Sequence, residues 1–315
     1  NPEYVLPIDS AARGMDVIAK AFLKPGDEMI VFNPCDYLFR EACVQSGATP
    51  IFYPCKMDPE KIEMDLSDLE DYITDKTKMV GLCNPHNPYG LLYSVEQLEF
   101  IMGLCEKHNL YIMNDEIWSD IIYSDAKFNS IYCLGNDRCK NVLSVFGYSK
   151  SFGLAGLRIG NIYCTDKENF KKVLEKSQVL STAGGATSIS MVAATAAMND
   201  SEYYLDGFIK HLEENRNYAV DFINKLPMLK AYRPKSTYLL YVDIKETGME
   251  AEEFTEYLKK TVDLAIIPGG KKFFGDQSEG HVRICFATSR EILEEGLSRL
   301  KKGVLALAER NKNND

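Results

Sequence analysis

Histidine is scarce in this sequence of 315 residues: there are four, and none is grouped like a set of metal ligands. The H-E-x-x-H pattern is absent, as are a Walker A loop and G-x-G-x-x-G, so metal-assisted hydrolysis and the common nucleotide cradles have no local signal. Nine cysteines (35, 43, 55, 83, 105, 133, 139, 164 and 285) contain no C-x-x-C pair. Scattered and odd in number, they suit a reducing cytoplasm better than a disulfide framework, and Cys83 and Cys105 lie within apolar runs as core thiols do. No apolar run approaches the length of a membrane span. Positive charge is in deficit, with 36 Lys+Arg against 46 Asp+Glu, a net charge of -10 and a pI near 5.1. That balance argues against nucleic acid as the main partner, while a local arginine pocket can still hold a small anion. Repeats, low-complexity tracts and charge blocks are also missing. What is present is 45% hydrophobic and 26% charged residues, the composition of a globular chain long enough for two domains.

Short β-like runs alternate with helical patterns through the first 200 residues. Tyr4 to Ile8 reads as a strand, and Ala11, Met15, Ile18 and Phe22 keep helical spacing until Pro25-Gly26-Asp27 stops them. Strands follow at Met29 to Phe32, Ile51 to Tyr53, Met79 to Cys83, Leu110 to Met113, Val142 to Phe146 and Ile159 to Tyr163. A helix is expected from about Leu38 to Gln45, and the tetrapeptide Ser94-Val95-Glu96-Gln97 is a capping box opening another. This alternation implies an α/β fold with a mainly parallel sheet, whose ligands gather beyond the carboxyl ends of the strands. From Ser201 a long helical run ends at Pro227, and strands at Tyr238 to Val242, Leu264 to Ile267 and Val282 to Phe286 mix with helices from about Glu250 and Arg290. The expected division is a large domain over 1–200 and a small α+β domain over 201–315, linked by a helix over about 201–226. The tail from Lys312 to Asp315 is expected to fray. The chain opens on Asn1-Pro2-Glu3-Tyr4 rather than Met, so a further segment is expected upstream.

The chemistry centres on Ser144-Val145-Phe146-Gly147-Tyr148-Ser149-Lys150-Ser151-Phe152-Gly153-Leu154-Ala155-Gly156-Leu157-Arg158-Ile159-Gly160. An apolar strand stops at Gly147, and a lysine follows among small residues that let a planar ligand come close. A lysine at a strand end is able to form a Schiff base once its surroundings favour the neutral amine. Arg158 is a permanent cation able to grip a phosphate by two parallel hydrogen bonds. Read alone, the stretch fits equally a surface lysine and a packing arginine in a glycine-rich loop. Elsewhere Asp115 ends the run Tyr111-Ile112-Met113-Asn114, where an aspartate is either a loop cap or a functional acid. The segment Asn84-Pro85-His86-Asn87-Pro88-Tyr89-Gly90 is turn-rich, Ser10 is placed to cap a helix, and Arg283 lies inside the apolar run His281 to Phe286. A charge there is either ion-paired framework or functional.

Together these motifs resemble the class I/II aminotransferase family, the fold-type-I enzymes that use pyridoxal 5'-phosphate (PLP). The resemblance spans nearly the whole chain, with the motifs in the family's order. It implies a fold-type-I, PLP-dependent transferase-like large domain and a smaller C-terminal domain. It implies Lys150 as the catalytic lysine that forms the Schiff base, and Asp115, in Asp115-Glu116-Ile117-Trp118, as the acid beside the ring nitrogen. Asn87 then faces the phenolic oxygen, the amides of Ala11 and Ala12 with Arg158 hold the phosphate, and Arg283 grips the substrate carboxylate. The family pattern is not matched everywhere. Gly147 stands where many relatives carry serine, leaving Ser149 or Ser151 as the hydroxyl. Trp118 replaces a usual tyrosine, and the ring-stacking aromatic, Tyr37, comes one residue late.

The resemblance further implies a homodimer acting on an amino acid and a keto acid; the cytoplasmic setting rests on the cysteine usage above. Leu157-Arg158-Ile159-Gly160 has the aminotransferase form, so amino transfer is the leading expectation. Cys83 to Pro88, Ser119-Asp120-Ile121, Glu213 to Tyr218 and Thr237-Tyr238-Leu239-Leu240 are similar to C–S β-lyases of the cystathionine β-lyase type, which gives the alternative. A third possibility is a degenerate member that serves as a regulatory binding protein, against which Lys150, Asp115 and Arg158 all count.

Overall fold

The computed structural model describes residues 2–58, 61–181 and 184–312. The first layer begins with β1 (Val5–Ile8), α1 (Ala11–Phe22), β2 (Glu28–Asn33), α2 (Tyr37–Gln45) and β3 (Thr49–Pro54). A small antiparallel pair, β4 (Lys56–Asp58) and β5 (Glu63–Asp65), precedes β6 (Thr77–Cys83), α3 (Val95–His108) and β7 (Tyr111–Asp115). Then come β8 (Val142–Gly147), β9 (Gly160–Cys164), α4 (Lys167–Ser177) and α5 (Ser188–Asp200). Among the described residues seven strands form one sheet in the order β1-β9-β8-β7-β6-β2-β3. The neighbours from β8 through β7, β6 and β2 to β3 pair in parallel, while β9 runs antiparallel to both β8 and β1. The sheet is thus mainly parallel, as the alternating pattern implies.

Local chemistry explains the boundaries. Ser10, in extended backbone, accepts the amide of Arg13 at 3.2 Å and starts α1. Both halves of the Ser94/Gln97 capping box form, at 3.2 and 2.9 Å, and Asn109 ends α3 in the left-handed region. β9 begins one residue later than the pattern suggests because Arg158, at φ 53°, holds the chain out of extended geometry just before it. Ile8, Val145 and Ile162 are fully buried between the sheet and α1, and each such side chain contributes about 1.5–3 kcal/mol on leaving water.

The second layer holds α6 (Glu202–Ile223), β10 (Lys230–Ala231), β11 (Leu239–Asp243), α7 (Ala251–Val262), β12 (Ile267–Pro268), β13 (His281–Cys285) and α8 (Arg290–Lys312). Its strands form a four-stranded sheet, β10-β11-β13-β12, over a second apolar cluster with α6, α7 and α8. The strand expected from Leu264 shrinks to two residues, since only Ile267 and Pro268 pair with β13 and proline removes a donor at that edge. Trp118, Ile121 and Tyr123, which follow β7, pack into this second cluster. Arg216 on α6 is buried at 2% exposure, stacks 4.2 Å from the Tyr123 ring centre and reaches Asp125, Glu213 and the Pro234 carbonyl. Breaking such a buried, multiply bonded cation would be costly, so the two layers are held in register around the segment after β7. Lys312 closes α8, and the rest of the tail expected to fray, 313–315, lies outside the described residues. No helix among the described residues is long and apolar enough to cross a membrane.

Candidate active site

The sheet topology brings the separated motifs to one edge. β2, β6, β7 and β8 run in parallel, so the residues just beyond their ends, Asp36, Asn87, Asp115 and Lys150, collect on the same side. β9 reverses direction, which pairs its first residue, Gly160, with Gly147 at the end of β8 and with Ile8 at the end of β1. Ser10 and the start of α1 therefore join the same edge. A cavity of about 470 Å³ opens there, lined by Ala11, Ala12, Tyr37, Asn87, Asp115, Trp118, Ser149, Lys150, Arg158 and Arg283, the site residues expected from sequence with the exception of the alternative hydroxyl, Ser151.

Glycine is required at one contact. A Cβ on Gly160 would sit 2.8 Å from the Ala11 nitrogen and 2.8 Å from the Phe146 carbonyl oxygen, both backbone atoms that cannot swing away. Its absence lets the N-terminus of α1 press against the sheet. At Gly147 an added Cβ would meet Ile117 at 3.3 Å, tight for a serine there. Of the two candidate hydroxyls, Ser151 is buried and donates to Asp120 at 2.6 Å, whereas Ser149 lines the cavity.

The anion end consists of the first turn of α1 and Arg158. Among the described residues the amides of Ala11 and Ala12 have no backbone acceptor, as expected for first-turn positions, and they carry the positive end of the helix dipole. Arg158 donates to Ser10 Oγ at 3.2 Å and adopts φ 53° and ψ 71°, a left-handed geometry that costs a non-glycine residue about 1–3 kcal/mol and tends to occur at functional sites.

At the cavity floor Asp115 is 6% exposed, and its only side-chain hydrogen bond among the described residues is accepted by Oδ1 from the Ile117 amide at 2.9 Å. Burial pushes its carboxyl up to about 7 from 3.8, opposed by that amide and by Lys150 and reinforced by Asp36 and Glu116. A buried acid with a free oxygen invites a cationic or N–H partner. Lys150 Nζ lies 5.0 Å from the centre of the Trp118 indole and forms no ion pair among the described residues. Trp118 in turn packs edge-on against Tyr238, with ring centres 4.6 Å apart, and its indole N–H makes no hydrogen bond among the described residues. Tyr37 lines the cavity and is 45% exposed.

Arg283 projects from β13 across the cavity. Its Nη1 donates to Asn87 Oδ1 at 3.3 Å, its guanidinium lies 4.8 Å from the Phe274 ring centre, and among the described residues it has no carboxylate ion pair. Burial pulls its pKa below the ordinary arginine value, with Asp36 opposing. A half-buried guanidinium without an acid partner fits a ligand carboxylate, and ion-paired framework does not describe it.

The aminotransferase class I and II family model matches residues 1–300. The chain belongs to that family. It is 30% identical to the aspartate aminotransferase of Pyrococcus abyssi over 283 residues, 90% of this chain and 71% of that protein. It is 28% identical to cystathionine beta-lyase PatB of Bacillus subtilis over 306 residues, 96% of this chain and 78% of that one. Among solved structures, the PLP-bound C–S lyase from Staphylococcus hominis superposes with a TM-score of 0.87 at 25% identity, covering 97% of this chain and 79% of the other. The family is PLP-dependent and the fold is fold type I. This family member's cavity fits PLP on its own evidence: free amides and a cation at one end, a half-satisfied buried acid at the other, and a lysine between.

Sequence reasoning missed several cavity residues. Asp36 has no local signal beyond its place just before a helical run, and Phe273 and Phe274 come from a loop whose single signal is an aromatic pair between glycines. Tyr238 and Cys285 reach the cavity because β11 and β13 lie beside it, which no local pattern announces.

Proposed function

We propose that this protein transfers the amino group of an α-amino acid to a keto acid, using PLP bound in the cavity at the carboxyl ends of the strands. The observation that carries the reading is the convergence in one cavity of a buried acid, an anion cradle, and a lysine and a guanidinium that form no ion pair among the described residues. Bound PLP supplies an electron sink for the charge that develops at the substrate α-carbon. The chain's residues do the rest. Ala11, Ala12, Arg158 and Ser149 would hold the phosphate, and Tyr37 would cover one face of the ring. Asp115 would accept a hydrogen bond from the ring N–H and keep that nitrogen protonated. Asn87 and Trp118 would donate to the phenolic oxygen. Lys150 would anchor the cofactor and, when its amine is free, take the α-proton on Nζ. Arg283 orients the substrate by its carboxylate.

Elimination from a β-thio amino acid is the second reading. It is favoured by 28% identity to PatB, close to the 30% identity to the aspartate aminotransferase. Both begin with removal of the same proton, so the acceptor separates them. The test reconstitutes the protein with PLP, reduces it with borohydride and maps the label, which is expected on Lys150. Donor amino acids are then supplied with and without an acceptor keto acid. New amino acid formed only with acceptor supports transfer; ammonia and a keto acid released from a β-thio substrate without acceptor would replace it with elimination.

A homodimer is supported by the apolar face of α5 and the start of α6, where Ile189, Val192 and Tyr203 are 70%, 69% and 79% exposed. A cytoplasmic setting is supported by nine cysteines that are all free thiols.

A further inference from the structure

Among the described residues Asp36 is the one charged cavity residue that the proposed reaction does not use. Its two oxygens have separate duties. Oδ1 accepts the Leu38 amide at 3.1 Å and caps α2, while Oδ2 accepts Asn87 Nδ2 at 2.8 Å. On the other side of Asn87, Oδ1 accepts from Arg283 Nη1 at 3.3 Å. A carboxylate only accepts and a guanidinium only donates, so the two flanking charges permit a single orientation of the amide between them. That orientation spends one N–H on Asp36 and leaves the other for the cavity.

We propose that Asp36 is a positioning residue that locks the Asn87 amide with a donor toward the cofactor's phenolic oxygen; the inference rests on the PLP reading above. The lock matters most with substrate bound. A carboxylate that occupies Arg283 competes for the guanidinium donors, and the Arg283 contact to Asn87 is the longer of the two. Asp36, fixed as the N-cap of α2, then holds the amide alone.

Two substitutions separate this role from capping, because asparagine and serine are both good N-caps. In Asp36→Asn the cap requires oxygen toward Leu38, which turns an NH2 group against the NH2 of Asn87 and drives the amide over. In Asp36→Ser the cap survives and Asn87 loses its partner without a new clash. The experiment measures the PLP dissociation constant of each variant by equilibrium binding, alone and in an Asn87→Ala background. Asp36→Asn is expected to weaken PLP about tenfold and Asp36→Ser by a few-fold, in line with one oriented hydrogen bond lost. Both effects should fall below about twofold once Asn87 is alanine, and denaturation midpoints should stay near that of the parent. Equal losses in both backgrounds would mean that Asp36 acts by its charge and not through Asn87. No loss in either variant would reduce it to a cap, and both results overturn the proposal. If the unsubstituted chain itself fails to bind PLP, the functional reading falls and this inference falls with it.

Discussion

Replacing Asp115 with asparagine should make the cofactor-free protein more stable at alkaline pH while damaging its function. The carboxyl is buried with one hydrogen bond, and burial raises its pKa from 3.8 to about 7. In the unfolded chain it ionises near the ordinary value, so between those two values the folded state holds a proton that the unfolded state has lost. Stability is therefore greatest at acid pH and falls as pH rises through the window, levelling off above about 7. Each pH unit inside the window is worth about 1.4 kcal/mol, so moving from about pH 5 to about pH 8 costs the parent on the order of 3 kcal/mol from this group. Asparagine fills the same space without a charge to desolvate and removes that slope. Denaturant unfolding of the cofactor-free parent and Asp115→Asn across this range reads the difference directly: the stability of the variant relative to the parent should rise by about 3 kcal/mol between about pH 5 and about pH 8. With PLP bound, a proton-bearing ring nitrogen opposite the carboxylate reverses the balance, and the variant should lose affinity and turn over orders of magnitude more slowly. Parallel pH profiles for the two cofactor-free proteins would refute the buried-charge argument, and near-normal turnover of Asp115→Asn would take the residue out of the site.

Arg283→Lys keeps the charge but loses the planar two-point grip, so kcat/KM should fall roughly tenfold to a few hundredfold with PLP affinity nearly unchanged. Equal losses on amines without a carboxylate, measured in the same assay, would place the carboxylate site elsewhere. Gly160→Ala should push α1 off the sheet and lower both stability, by about 1–3 kcal/mol, and PLP affinity, because its Cβ would meet backbone at 2.8 Å. Gly103→Ala, with open space around it in α3, is the matched control and should gain about 0.5–1 kcal/mol in the same denaturation assay.

Much of the site was legible because fold-type-I chemistry demands unusual residues in ordered places. A lysine among glycines after a strand, an aspartate ending another and an arginine inside an apolar run each break the local rule for their element. Periodicity located the central strands, since buried parallel strands such as β6 are nearly continuous apolar runs. It failed where elements lack a one-sided pattern. α5 is apolar on every face and passed unrecognised, and β12 survives only as two residues at an edge.

By itself the sequence determined which side chains were available and which strand ends would carry them, because those facts depend on neighbours along the chain. Tertiary structure alone decided what faces what. Strand order set Gly160 between Gly147 and Ile8 and so seated α1 at the cavity. The approach of β13 brought Arg283 to Asn87, and the parallel pairing of β6 with β2 brought Asn87 to Asp36, across sequence separations of 196 and 51 residues. Hydrogen bonds of that kind have no local signature: their partners are chosen by the packing of whole layers, and the orientation of one amide is fixed only when both of its charged neighbours have arrived.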